Sequence, residues 1–242
     1  MNVRKINIDF FKDMLFPSRC VVCECLLDSE GLCSDCWLKI RWISEPKCRI
    51  CGQPFTVEID SVDSVCAQCL SKPPNFDKAV SVFVYDDFSK KIVLKFKHSD
   101  ATYLAEILSK LMFRSAILEI ESSDLIIPVS IHFMKRLKRK YNQSELLAQK
   151  ISKISGVKYE PRILKKIKQT STQEGLSGIQ RRKNVIGSFG IDDTYKYLLK
   201  DKRILLIDDV FTTGSTVDEC SKILKKHTAK EVIVLTLARV VI

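Results

Sequence analysis

The stretch from Arg203 to Thr216, RILLIDDVFTTGST, constrains the fold more than any other part of the chain. Its apolar, β-branched run Ile204, Leu205, Leu206 and Ile207 reads as a buried strand that ends in two adjacent carboxylates, Asp208 and Asp209. Thr212, Thr213, Gly214, Ser215 and Thr216 follow as small hydroxyl side chains around one permissive glycine. The amphipathic segment Val217 to Lys226 then reads as a helix. A strand, a small polar loop and a helix N-terminus together make an anion cradle, because free amides, hydroxyls and the helix dipole point at one place. The two carboxylates repel a phosphate but accept hydrogen bonds from sugar hydroxyls, so the pattern fits a ribose 5-phosphate. Helix capping alone accounts for one polar residue at a helix start and leaves the rest of the run unexplained.

This segment resembles the signature loop of the type I phosphoribosyltransferases, which bind phosphoribosyl pyrophosphate. By that resemblance Asp208 and Asp209 hold the ribose hydroxyls and are the catalytic acids, while Thr212, Thr213, Gly214, Ser215 and Thr216 hold the 5-phosphate.

Nine of the ten cysteines lie in the first 69 residues. Cys20-x2-Cys23 is followed after nine intervening residues by Cys33-x2-Cys36, and Cys48-x2-Cys51 after fourteen intervening residues by Cys66-x2-Cys69. Each set offers four thiolates from two tight knuckles, a donor set suited to tetrahedral Zn²⁺, and eight ligands make two structural sites. An iron–sulfur cluster or redox thiols would draw on the same residues. Sequential and interleaved pairing of the knuckles use the same eight cysteines. Cys25 reads as a spare thiol and Cys220 as a small buried apolar residue. Phe16, Trp37 and Trp42 are the expected packing around the ribbons.

The N-terminal stretch is interrupted by Lys5, Asp9, Lys12 and Asp13, and Val232 to Ile242 is about half the roughly 20 residues a membrane span requires. The expectation is a cytoplasmic protein without membrane insertion. Formal net charge is +11, and residues 135–183 alone hold 15 Lys and Arg against 3 Asp and Glu. A basic excess confined to one stretch attracts polyanions in a salt-dependent way, which makes Lys135, Arg136, Lys138, Arg139, Lys140, Arg181 and Arg182 candidate nucleic-acid contacts. A solvated face, or a cradle for the substrate's own phosphates, would have the same composition.

Lys72, Pro73, Pro74 and Asn75 mark a boundary, giving a double zinc ribbon over 1–72 and a second domain over 76–242. Beyond it, strands at Ala79 to Tyr85 and Leu125 to Ile127 alternate with helical periodicity at Thr102 to Leu118, the pattern of a parallel sheet with crossovers. The loop after Pro128, with Arg136, Arg139 and Asn142 before a helix bearing Leu146, Leu147 and Ile151, is a second anion-binding arrangement. The segment QTSTQEGLSGIQRRKNVIGSF, with Thr170, Gln173, Leu176, Arg181 and Asn184, lacks strong periodicity and reads as a loop over a site.

Taken in order, these motifs resemble the ComF family, bacterial competence protein F relatives with a double zinc ribbon before a phosphoribosyltransferase domain. The resemblance covers nearly the whole chain. It implies an α/β fold, a parallel-sheet type I phosphoribosyltransferase domain with an N-terminal double zinc-ribbon module, and a pyrophosphate loop at Ser130, Arg136 and Arg139. Family members carry Pro-Val-Pro and Arg-Gly-Phe-Asn-Gln where this chain has Pro128-Val129-Ser130 and Arg139-Lys140-Tyr141-Asn142-Gln143. The implied cofactors are two structural Zn²⁺ ions and Mg²⁺ with phosphoribosyl pyrophosphate. The implied role is DNA uptake in natural transformation, with single-stranded DNA, a helicase and a DNA-processing protein as partners. A metabolic phosphoribosyltransferase moving ribose 5-phosphate to some acceptor is the alternative, although no residue stands out as a base for an acceptor.

Overall fold

The computed structural model describes residues 18–56, 63–98, 102–131, 141–168 and 178–241. The chain divides into two compact units, Met1–Arg41 and Trp42–Ile242. In the first, short bridges join Arg19 to Leu26 and Cys20 to Gly31, and a helix α1 (Ser34–Lys39) starts at Cys33. Trp37 on α1 is 43% exposed, unlike the packing residue expected of it, and Phe16 lies outside the described residues.

The second unit begins with the other pair of knuckles. Lys47 bridges Pro54, the Cys48 amide donates to Gln53 O at 2.8 Å, and helix α2 (Ala67–Ser71) follows Cys66. Trp42 packs edge-on against Phe83 with ring centroids 6.1 Å apart. Then come β1 (Lys78–Val84), α3 (Ser89–His98), α4 (Leu104–Ser115), α5 (Ile117–Glu121), β2 (Leu125–Pro128), α6 (Gln143–Ser155), β3 (Lys158–Tyr159) and β4 (Leu164–Lys166). The chain continues through α7 (Gly178–Val185), β5 (Phe189–Ile191), a 3₁₀ turn at Lys196–Leu199, β6 (Arg203–Phe211), α8 (Ser215–Lys226) and β7 (Glu231–Arg239).

Five strands form one parallel sheet in the order β1-β7-β6-β2-β3, while β4 and β5 pair antiparallel in a separate ribbon. Helices on both faces explain the unbroken apolar runs: Ile204, Leu205, Leu206 and Ile207 are all fully buried. The strand, helix and parallel-sheet expectations are thus met over 79–85, 125–127 and 217–226 within a residue or two, whereas the helical stretch expected over 102–118 is broken at Ala116, φ −144°, into α4 and α5.

Two expectations are corrected. The strand expected to stop at the carboxylates runs on through Asp208 and Asp209 to Phe211. On one side β7 continues beside it, pairing Asp208 with Thr236 and Phe211 with Arg239, whereas pairing with β2 ends at Ile207 and Pro128. The acids therefore remain in a ladder with one neighbour and face a gap left by the other. Within the segment expected as a loop, Gly178–Val185 is helical. Its Gln-Arg-Arg-Lys run favours helix, Val185 is buried, and the Gly187 amide donates to Glu219 of α8 at 2.8 Å. Thr170, Gln173 and Leu176 lie outside the described residues.

Candidate functional site

From β2 the chain moves outward to β3, and from β6 it moves the opposite way to β7. The order reverses between the adjacent strands β2 and β6, so their carboxyl ends splay apart into a crevice. A cleft of about 330 Å³ lies there, lined by Val129, Ser130 and Ile131 after β2, by Asp208 and Asp209, and by Thr212, Gly214, Ser215 and Thr216. That volume is within the range for a small-molecule site.

Each carboxylate is held by a different element. Ser144, in the first turn of α6, donates its hydroxyl to Asp208 Oδ1 at 3.0 Å, and the Asp209 amide donates to the same oxygen at 2.9 Å. Lys97, from the last turn of α3, forms a 2.7 Å ion pair with Asp209. Burial, followed by the neighbouring Asp209 charge, raises the Asp208 pKa to about 7 against the pull of those donors and of Lys97. The α6 start is fixed by Asn142, whose Oδ1 accepts from the Ser144 amide at 3.1 Å while its Nδ2 donates to Val129 O at 3.0 Å. One N-cap residue thus joins the loop after β2 to the helix that holds Asp208.

In the turn after β6 Gly214 has φ +74°, and a Cβ there would stand 2.6 Å from the Phe211 ring. Ser215 begins α8, its amide donates to Thr213 Oγ1 at 3.4 Å, and the two hydroxyls lie 2.8 Å apart. Gly214→Ala combines left-handed strain with a clash, at a cost of about 2–4 kcal/mol. A matching drop in melting temperature with lost anion binding is expected, and wild-type behaviour of both would show that the turn tolerates a side chain.

The cysteines gather in two clusters. Cys48, Cys51, Cys66 and Cys69 place one sulfur each within 4.8 Å of the others, and Cys51 Sγ is 3.7 Å from Cys66 Sγ. Four sulfurs at about 2.3 Å from one ion in a tetrahedron are about 3.8 Å apart, so this donor set fits a four-thiolate zinc site. Sulfurs of Cys20, Cys23, Cys25 and Cys33 form the other mutually close group, with Cys23 and Cys33 at 3.6 Å. Cys36 is buried beside them, its thiol pKa pushed up by burial and by the thiols of Cys33, Cys23 and Cys20. Five thiols thus meet at the first cluster where four were expected, and Cys25 is among them. Knuckle amides donate to Cys20 and to Cys48 at 3.4–3.5 Å. Against the effect of burial, these and neighbouring amides lower the pKa of Cys20 to about 6 and of Cys48 to about 7, favouring the ligating thiolates.

A double zinc ribbon domain model matches residues 11–70, and a phosphoribosyl transferase domain model matches residues 123–240. Competence protein F of Haemophilus influenzae is 32% identical over 231 residues, covering 93% of this chain and 98% of that protein. This chain belongs to the ComF family. Among other similar proteins, the DNA utilization protein YhgH of Escherichia coli K12 is 28% identical over 230 residues, covering 92% of this chain and 97% of its own length. Competence protein ComFC of Bacillus subtilis is 26% identical over 226 residues, covering 88% of this chain and 86% of its own.

In this ComF-family chain the expected site residues are only partly brought together. Asp208, Asp209, Thr212, Gly214, Ser215, Thr216 and Ser130 line the cleft, with the Ser130 hydroxyl donating to Leu164 O. Thr213 borders a smaller cavity on the side of the second cysteine cluster. Lys135, Arg136, Lys138, Arg139 and Lys140 lie outside the described residues, and Arg181 and Arg182 are described only as backbone of α7. Three other cations of the basic stretch are paired locally: Lys150 with Glu106 at 2.7 Å, Arg162 with Glu160 at 2.8 Å and Lys165 with Asp192 at 2.6 Å.

Lys97 and Lys166 also line the cleft, and sequence reasoning assigned neither. Lys97 sits in a lysine-rich helix, one residue after the buried Phe96, and Lys166 ends β4 with its ammonium 5.1 Å from the Phe189 ring centroid. Their shared destination is set by the crossovers, which no local pattern records. Among the described residues, no helix is long and apolar enough to cross a membrane.

Proposed function

We propose that this ComF-family protein serves DNA uptake in natural transformation, binding phosphoribosyl pyrophosphate in the cleft and single-stranded DNA through the basic stretch. The observation that carries the ligand is the union of paired carboxylates with a hydroxyl-rich helix start at the strand-order reversal. Asp208 and Asp209 accept from the ribose hydroxyls, Thr212 and the 214–216 turn donate to the 5-phosphate, and Lys97 and Lys166 face the diphosphate. Mg²⁺ bound with the ligand would neutralise diphosphate charge and assist departure of pyrophosphate. The names of the similar proteins, competence protein and DNA utilization protein, support the DNA role. A helicase and a DNA-processing protein are the partners such a role calls for.

Calorimetric titration of phosphoribosyl pyrophosphate with Mg²⁺ into the zinc-loaded protein, with and without single-stranded DNA, tests this reading. Binding that alters DNA affinity is expected, and the effect must be reciprocal. Binding without coupling would favour the metabolic transferase, and no binding would refute the ligand assignment. Lys138→Glu with Arg139→Glu should weaken single-stranded DNA binding about tenfold or more at low salt and flatten its salt dependence by about two ions. An unchanged affinity and slope would place DNA elsewhere.

A further inference from the structure

Arg239, the last residue of β7, is only 3% exposed yet carries a charge. Its Nη1 donates to the Cys51 carbonyl, and its Nη2 donates to Gln53 Oε1 at 2.7 Å. The guanidinium carbon lies 4.8 Å from the centroid of the Phe211 ring, while Phe76 meets that ring edge-on at 5.9 Å. The same ring is the surface against which the Gly214 turn is packed, with no room for a methyl group between them. Asn75, just after the second cluster, donates its amide and Nδ2 to Asp218 Oδ1 at 2.6 and 3.0 Å, tying the first turn of α8 to the same side. Cluster, arginine, aromatic ring and phosphate loop are in consecutive contact.

A buried guanidinium keeps its proton and requires a counter-charge, since an unpaired buried charge is strongly destabilising. Four thiolates around a divalent ion carry a formal net charge of about −2, and the Arg239 guanidinium is bonded directly to the backbone of one of those ligands, Cys51. Of the residues lining the small cavity beside Arg239, the one carboxylate is Asp218, which is engaged by Asn75. The metal-loaded cluster is thus the counter-charge that keeps the guanidinium against Phe211.

We propose that Arg239 is a positioning residue that couples the metal-loaded second cysteine cluster to the shape of the phosphate loop, through the Phe211 ring and the Gly214 turn. A zinc site with no open coordination position thereby sets the affinity of a ligand site it never touches. The consequence for affinity rests on the phosphoribosyl reading above; the ordering of the loop does not.

Hydrogen exchange of the full-length, zinc-loaded protein tests the coupling, with peptides over 209–217 reporting the loop and 204–208 reporting the sheet. In Arg239→Met, loop amides should exchange about tenfold faster while sheet amides and zinc content stay as in the wild type. Cys66→Ser should accelerate the same amides, and the double variant should add little to either single change, because both break one chain of contacts. Arg239→Lys should restore part of the protection. Unaltered loop exchange in Arg239→Met, or fully multiplicative effects in the double variant, would overturn the proposal.

If those variants lose sheet protection, Phe211→Leu decides instead. Removing the ring should loosen the loop at full zinc content, and wild-type exchange there would refute the coupling. In titrations with phosphoribosyl pyrophosphate and Mg²⁺, Arg239→Met should bind about tenfold more weakly. Should the wild type bind none, the phosphoribosyl reading fails and hydrogen exchange alone judges Arg239.

Discussion

Asp208→Asn with Asp209→Asn is expected to weaken phosphoribosyl pyrophosphate binding by at least about a hundredfold. Hydrogen bonds to charged acceptors contribute about 1.5–3 kcal/mol each, and two of them are lost. Calorimetry reads the affinity, and near-normal binding would refute the assignment of the acids. The single change Asp208→Asn should at the same time stabilise the ligand-free protein. Because burial and Asp209 raise the Asp208 pKa to about 7, the folded state holds a proton that the unfolded chain has already released. Stability therefore falls as pH rises from about 4 to about 7 and stays reduced above that. At pH 8 the variant should gain on the order of 2 kcal/mol over the wild type, the full shift being discounted for partial exposure, and the gain should vanish near pH 4. Thermal melts across pH measure the difference, and a variant equally or less stable at pH 8 would contradict the ionisation cost. Binding through an ionised Asp208 should also strengthen about tenfold between pH 6 and pH 8, a dependence the variant lacks.

Cys48→Ser should destabilise the phosphoribosyltransferase fold as well as the metal site. Cys48, Cys51 and Cys69 belong to the same buried cluster as Phe76, Ala79, Leu206, Phe211 and Val234. The Ala79 amide donates to Ile50 O at 2.7 Å, and Gly52, at φ +70°, leaves no room for a Cβ, which would stand 2.6 Å from Ala79 O. Losing one ligand releases the ion, leaves three thiols without it and removes the counter-charge of Arg239. A loss of about 4–5 kcal/mol follows, or roughly 10–15 °C in melting temperature for a domain of this size. Zinc content should drop by one ion per chain. A melting temperature within about 2 °C of the wild type would show that the second ribbon is energetically separate from the sheet.

Local chemistry wrote much of this protein plainly into its sequence. The run Ile204 to Ile207 with the small polar turn after it, the paired Cys-x2-Cys knuckles and the alternation of apolar strands with amphipathic helices each draw on neighbours a few residues apart, where period, spacing and propensity act directly. They were enough for the parallel sheet, the double zinc ribbon and the phosphoribosyltransferase-like loop. Other features depended on partners far along the chain. Asp208 and Asp209 stay within β6 because β7 extends beside them after β2 has stopped. Lys97, Ser144 and Lys166 reach one cleft because three separate crossovers bring them there. The composition shift at Lys72 to Asn75 follows the end of the double zinc ribbon match at residue 70, while the packing that joins the second cysteine cluster to the core of the unit beginning at Trp42 has no local signal. Arg239 looks in sequence like the polar end of a strand. Only the packing of Cys51, Gln53 and Phe211 around it makes it a buried charge, since burial depends on what tertiary structure places opposite a residue and not on its neighbours in the chain.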